Sequence, residues 1–267
     1  MVYITLLGMV LGSFIGLAVV RIPRHESLWW PRSHCRDCGH VLAWYENIPL
    51  FSYLILRGRC RQCKSPIAFR YWLIEFSMTL ITVGAYLLIV PWTRFLMWEF
   101  AFVLPMVLLL FLDWKEKILP ITITAPGIAL GFLSHWVEGR YFPPGPLEVS
   151  TTSLLLESLW GFLAGGLTLF LVAEIYQRAK GKVGMGGGDI WLGAMIGAFF
   201  GWKAVFFIFF LASVSGTCFG VTMILLKRHN RQTRLPFGSF LAAAALLFLF
   251  YGEPLLHAYL TLFKFNK

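Results

Sequence analysis

The chain has 267 residues, of which 58% are hydrophobic and 13% charged, with 25 Phe and a mean hydropathy of +0.72. Polar groups this sparse cannot cover a water-soluble globule, which excludes an ordinary soluble enzyme and makes lipid the expected solvent. The formal charge of +10 would suit nucleic acid in a soluble chain. In a polytopic membrane protein, however, Lys and Arg gather in cytoplasmic loops and report orientation, so no nucleic-acid partner is expected.

Crossing about 30 Å of hydrocarbon at about 1.5 Å per residue takes roughly 20 apolar residues. About eight runs qualify, at 2–20, 71–91, 94–113, 118–137, 153–176, 189–202, 204–226 and 236–260. The expected fold is therefore all-α: a polytopic membrane protein of about eight transmembrane helices with one small cytoplasmic insert. The first run has no basic stretch before it and no small-residue cleavage site after it, so it reads as a retained span, with the mature chain starting near Met1. The fourth run is interrupted by Pro120 and Pro126 and the sixth is short. Such spans often line a site rather than face lipid. Gly8, Gly12 and Gly16, and again Gly193, Gly197 and Gly201, recur at every fourth position and read as close-packing helix faces. Cys218, alone in apolar sequence, reads as packing.

The first two runs flank Arg21 to Arg70, the only stretch long enough for a small domain outside the bilayer. The expected division is thus 1–20 as first transmembrane helix, 21–70 as insert and 71–267 as membrane core. Domains below about 70 residues usually need an external staple. Here Cys35-Arg-Asp-Cys38 and Cys60-Arg-Gln-Cys63 offer four thiolates at zinc-ribbon spacing, with a redox dithiol pair as the rival reading. Four cysteine ligands would close the metal's coordination and make the zinc structural. His25, His34 and His40 read as exposed loop residues rather than ligands.

Eighteen of the 23 Lys and Arg fall on one side of the spans: in Arg21 to Arg70, the Trp114-Lys115-Glu116-Lys117 turn, Gln177 to Lys182 and Lys227 to Arg234. The other side receives Arg94, Arg140, Lys203, Lys264 and Lys267. The first side is then cytoplasmic, and Asp113 and Asp189 fall at that same surface.

Asp189 ends the run Gly184-Met185-Gly186-Gly187-Gly188-Asp189 and opens an apolar segment. A carboxylate there is costly, and glycines beside it let another backbone come close. Aspartyl proteolysis needs two carboxyls sharing a proton, one acting as base toward water and one donating to the scissile carbonyl. Asp113 and Asp189 are the best pair. The residues alone leave two alternatives open: an ion or proton pathway through Glu75, Glu99, Glu157 or Glu174, and a structural or anchoring role.

In chain order, the sequence carries Gly12-Ser13-Phe14, Arg21-Ile22-Pro23, the two CxxC pairs, Trp44-Tyr45-Glu46-Asn47-Ile48-Pro49 and Leu56-Arg57-Gly58-Arg59-Cys60. These are followed by Arg70-Tyr71, Glu75, Leu112-Asp113, Leu119-Pro120, the Gly184 to Asp189 run and Leu235-Pro236-Phe237-Gly238. Together and in this order they resemble the type IV prepilin peptidases, which are similar in mechanism to the membrane-embedded GxGD aspartyl proteases. The resemblance implies that Asp113 and Asp189 form the catalytic pair. It also implies prepilin or pseudopilin substrates cut after a glycine on the cytoplasmic side of the bacterial inner membrane, and methylation of the new N-terminus from S-adenosylmethionine. No Rossmann-type glycine fingerprint marks a pocket for that donor. Three positions depart from the family pattern: Gly16 in place of asparagine, Ile121 in place of an acid and Trp191 in place of lysine. None removes a catalytic carboxylate.

Overall fold

The computed structural model describes residues 1–142, 151–182, 184–226 and 235–262. The expected basic loop Lys227 to Arg234, and Lys264 and Lys267, lie outside the described residues. Regular structure among the described residues is helical, and β pairing is limited to the isolated bridges His34 with Val41 and Arg59 with Pro66.

The helices are α1 (Val2–Arg21), α2 (Phe51–Ile55), α3 (Arg70–Leu88), α4 (Trp92–Trp98), α5 (Leu104–Glu116), α6 (Ile121–Tyr141), α7 (Thr151–Lys180), α8 (Gly187–Leu225) and α9 (Phe237–Leu262). Among the described residues, five helical stretches are long and apolar enough to cross a membrane: Val2–Arg24, Arg70–Leu88, Trp92–Glu116, Thr151–Lys180 and Gly187–Leu225. The chain is therefore a multi-pass membrane protein. The sixth and seventh expected spans form one stretch, α8, of 39 residues, broken where Gly201 adopts φ 76° and ψ 174°. The fourth forms α6, which starts only at Ile121 because extended Pro120 occupies its N-cap. The eighth forms α9, whose apolar part is the shorter Phe237–Gly252, ahead of a break at Tyr251.

The chain divides into two compact units, Met1–Glu99 and Phe100–Lys267. In the first, α1 lies close against α3: a Cβ at Gly12 would sit 2.7 Å from Glu75 Cα. The insert then folds back on the end of α1, where buried Arg21 donates to the Ser27 carbonyl at 2.8 Å and the Pro31 carbonyl at 2.6 Å. Near the end of this unit the Thr82 hydroxyl donates to Glu99 Oε1 at 2.6 Å, both residues being fully buried.

A π-helical turn, Glu99–Val103, begins at the last residue of the first unit and leads into α5, and in the second unit α7 crosses α8 at glycine. A Cβ on Gly161 would run into the Gly197 carbonyl oxygen, and one on Gly165 into that of Gly193. Two of the three glycines in the second expected stripe thus form a backbone-to-backbone contact, the arrangement that favours helix association without a hydrophobic driving force. The third, Gly201, is the break itself.

Candidate active site and cysteine cluster

Asp113 lies in the last turn of α5 and is buried, with 5% of its surface exposed. Its Oδ2 accepts the Ser239 backbone N–H at 2.6 Å and lies 2.9 Å from the Ser239 hydroxyl. Ser239 is the third residue of α9, whose first N–H groups have no partner within the helix. Asp113 thus caps, from another helix, the N-terminus of α9, where the backbone dipole favours negative charge.

Asp189 occupies the corresponding third position of α8. It reaches back to the backbone amide of Gly186, the N-cap, as the acidic member of a capping box does. Each acid therefore sits at the start of a helix, and the two are close enough for the charge of Asp113 to act on Asp189. Leu119 wedges between the two helix starts. A Cβ on Gly188 would lie 2.6 Å from Leu119 Cβ, and one on Gly238 would lie 2.6 Å from Leu119 Cδ1 and 3.1 Å from Asp113 Oδ2. Gly188 and Gly238, one from each motif, are therefore required by close approach to Leu119 and, for Gly238, to the acid. Beside Asp189, a Cβ on Gly187 would meet nothing within 4 Å.

Ser239 escapes sequence reasoning although it directly follows Leu235-Pro236-Phe237-Gly238. Its Oγ is also 3.0 Å from the Leu110 carbonyl. One hydroxyl proton can serve only one acceptor at a time, so by rotating it donates either to Leu110 or to an ionised Asp113. In the first orientation its lone pair faces Oδ2 and can accept a proton held by Asp113. The residue is built to accommodate both protonation states of this carboxyl.

The other intramembrane acids are dispersed. Glu75 accepts the Leu50 N–H at 2.7 Å, Glu99 the Thr82 hydroxyl, and Glu174 pairs with Arg178 on the surface at 2.7 Å. Of the three departures from the family pattern, Trp191 and Ile121 are exposed on their helices, and a Cβ at Gly16 would lie 3.4 Å from the Tyr71 ring.

In the first unit the Sγ atoms of Cys35, Cys38, Cys60 and Cys63 all lie within 4.8 Å of one another and could hold a metal ion. Two of the separations are 3.8 Å (Cys35–Cys63) and 4.0 Å (Cys38–Cys60), against about 3.8 Å for the edges of a tetrahedron with metal–sulfur bonds of about 2.3 Å. All four are free thiols. Each pair sits on the same small turn: the Cys35 N–H donates to His40 O and the Cys60 N–H to Ser65 O, both at 2.8 Å, and left-handed Gly39 and Lys64 follow the second cysteines. The thiols do not share negative charge evenly. Backbone amides of Cys38 and Asp37 pull Cys35 down to about 6. Cys38 is favoured as thiolate by the His40 amide, yet loss of solvation and the neighbouring thiols push it up to about 12. A bound cation would relieve that competition.

Buried Glu46 ties the two turns together. It accepts the Ala43 N–H and His40 Nε2, each at 2.9 Å, and lies 3.9 Å from Arg61, which also donates to the Tyr45 hydroxyl at 2.6 Å. The amide of Ala43, with His40 and Arg61, holds the Glu46 carboxyl below its usual range. His40 is thus a partner of Glu46 rather than an exposed loop histidine.

Residues 6–89 match the family model described as "Bacterial Peptidase A24 N-terminal domain", and residues 100–221 match "Type IV leader peptidase family". Among curated relatives, a prepilin leader peptidase/N-methyltransferase of Myxococcus xanthus is 38% identical over 84% of this chain and 63% of its own length. Proteins of the same name from Aeromonas hydrophila and Pseudomonas putida are 32% and 31% identical over 97% and 94% of this chain, and over 93% and 90% of their own lengths. No solved structure matches. The two matched regions fall on either side of the boundary between the compact units, and together with these relatives they show that the chain belongs to the type IV leader peptidase family.

Proposed function

We propose that this chain is a membrane-embedded aspartic endopeptidase that removes the basic leader from type IV prepilins or pseudopilins, and that it methylates the new N-terminus. The observation that carries the reading is the pairing of Asp113 and Asp189 at the starts of two helices, in a chain of this family. One carboxyl takes a proton from water as the other donates to the scissile carbonyl, and the product amine leaves with a proton. The Ser239 donors occupy Asp113 Oδ2 and leave Oδ1 without a protein partner among the described residues, available to water or substrate. Open space beside Gly187 suits an extended peptide backbone. The excess of Lys and Arg on one side supports a cytoplasmic position for both acids, and the family an inner-membrane one, so that an apolar substrate helix enters through lipid. Zinc is the metal whose size and ligand preference fit the four cysteines, and with four protein ligands it is structural. A transport function has no support: three of the four acids it would use, Glu75, Glu99 and Glu174, have separate local partners, and the curated relatives are named as peptidases.

The test is incubation of the detergent-solubilised protein with a prepilin peptide, with and without S-adenosylmethionine, read by mass spectrometry. Leader removal without the donor and a further gain of one methyl group with it are expected. Asp113→Asn and Asp189→Asn should each lower cleavage by about 1,000-fold or more while the protein still accumulates in the membrane. Full cleavage by either variant overturns the assignment.

A further inference from the structure

The first unit contains a cavity of about 670 Å³, bounded by the end of α1, the insert and the start of α3. This is within the range of about 300–1,000 Å³ typical of small-molecule sites and far more than a metal ion needs, although Cys35 and Cys60 reach its edge. Its wall combines the aromatic residues Tyr71 and Trp72 with Glu75. Glu75 is half-buried, and the groups that hold it, the Leu50 N–H and the Ser13 hydroxyl, are both neutral. No cation of the described residues pairs with it. Of the five arginines of the wall, Arg21 is engaged on the Ser27 and Pro31 carbonyls, Arg24 lies 4.0 Å from Glu26, Arg61 donates to Tyr45 and Arg70 lies against the Tyr71 ring at 5.5 Å, while exposed Arg36 does not act on Glu75. A carboxylate left without a counter-charge in a cavity with aromatic walls calls for a ligand that brings a cation and a flat ring system.

Resting on the reading that the protein methylates its product, we infer that this cavity is the site of the sulfonium methyl donor, with Glu75 as the counter-charge of the sulfonium. S-adenosylmethionine combines a fixed positive charge, an aromatic base and an amino-acid carboxylate. Glu75 meets the first, the Tyr71 ring suits the second, and Arg36, exposed on the wall and without a partner among the described residues, suits the third. The absence of a dinucleotide-type glycine fingerprint is then expected, because the donor is held by side chains of a helix pair and its insert rather than by a phosphate-binding turn.

Charge separates this role from a structural one. Full-length protein in detergent is titrated calorimetrically with S-adenosylmethionine, a cation at sulfur, and with S-adenosylhomocysteine, its neutral thioether. Glu75→Gln should weaken the cationic ligand about tenfold or more and leave the neutral one within about twofold. Equal weakening of both ligands overturns the inference. So does a raised KM for the leader peptide with donor binding unchanged, which would make the cavity a leader dock. Should Glu75→Gln not accumulate, photo-crosslinking of the wild type with an azido-adenosyl donor decides: label between Ser13 and Glu75 supports the site, and label beyond Phe100 overturns it. A wild type that neither binds the donor nor methylates the cleaved product overturns the methylation reading itself, whereas one that methylates but labels elsewhere overturns only the cavity.

Discussion

At the scale of single residues, the acids were legible because a charge bordering an apolar run is costly and therefore conspicuous. Asp113 and Asp189 stand out for that reason, as do four cysteines in two matched pairs. What holds the acids was not legible. Ser239 meets Asp113 across 126 positions of sequence, and nothing local to a serine in the first turn of a helix says which carboxylate it faces. The same is true of Glu46, whose partners come from both cysteine turns. Ser239 yields a prediction that separates its hydroxyl from its backbone. Ser239→Ala keeps the N–H to Asp113 and loses the rotating hydroxyl, so kcat for cleavage should fall about tenfold, the worth of one hydrogen bond to a charged group, with KM nearly unchanged. Ser239→Thr, which keeps the hydroxyl, should recover most of the rate. Steady-state kinetics on a prepilin peptide checks both. An unchanged kcat in Ser239→Ala would mean that the backbone donor alone suffices.

Hydropathy located the helices at the scale of elements because burial in lipid demands long apolar runs, and the first, second and fifth expected spans correspond closely to α1, α3 and α7. It could not tell where one run ends and the next begins inside continuous apolar sequence. α8 passes from one helical axis to another at Gly201 with no polar residue to mark the change other than the adjoining Trp202-Lys203. The glycine stripes were visible as a four-residue period, but the partner of the second stripe, Gly161 and Gly165 on α7, emerged only in three dimensions. Their contact predicts opposite signs for one substitution at two positions of α8. Gly197→Ala would drive a methyl group into the Gly161 carbonyl and should cost about 2 kcal/mol or more. In Gly216→Ala the new Cβ would find the Phe240 ring at 3.4 Å, an ordinary contact, and helix propensity should make it neutral or stabilising by up to about 1 kcal/mol. Thermal unfolding of the two variants in the same detergent would reveal the contrast, and equal melting temperatures would contradict the close crossing.

For the whole molecule, both catalytic candidates and Ser239 belong to Phe100–Lys267, whereas the cysteines, Glu46 and the cavity belong to Met1–Glu99. The insert has little apolar core of its own: Cys60 is its only buried apolar residue among those described, and Trp29, Trp30 and Trp44 are exposed. Its order should therefore depend on the metal far more than the membrane helices do. Native mass spectrometry is expected to find one zinc per chain, and a strong chelator should expose four new reactive thiols. Metal must compete with a proton at each sulfur, so retention should weaken as pH falls, most steeply once Cys35, the thiol held down to about 6, also takes up its proton. The double variant Cys35→Ser with Cys60→Ser should lose the zinc and, with it, methylation, while cleavage remains within about threefold of wild type because both acids and Ser239 belong to the other compact unit. If chelation stops cleavage as completely as Asp189→Asn does, the division of labour between the units fails, and the insert must be counted as part of the peptidase.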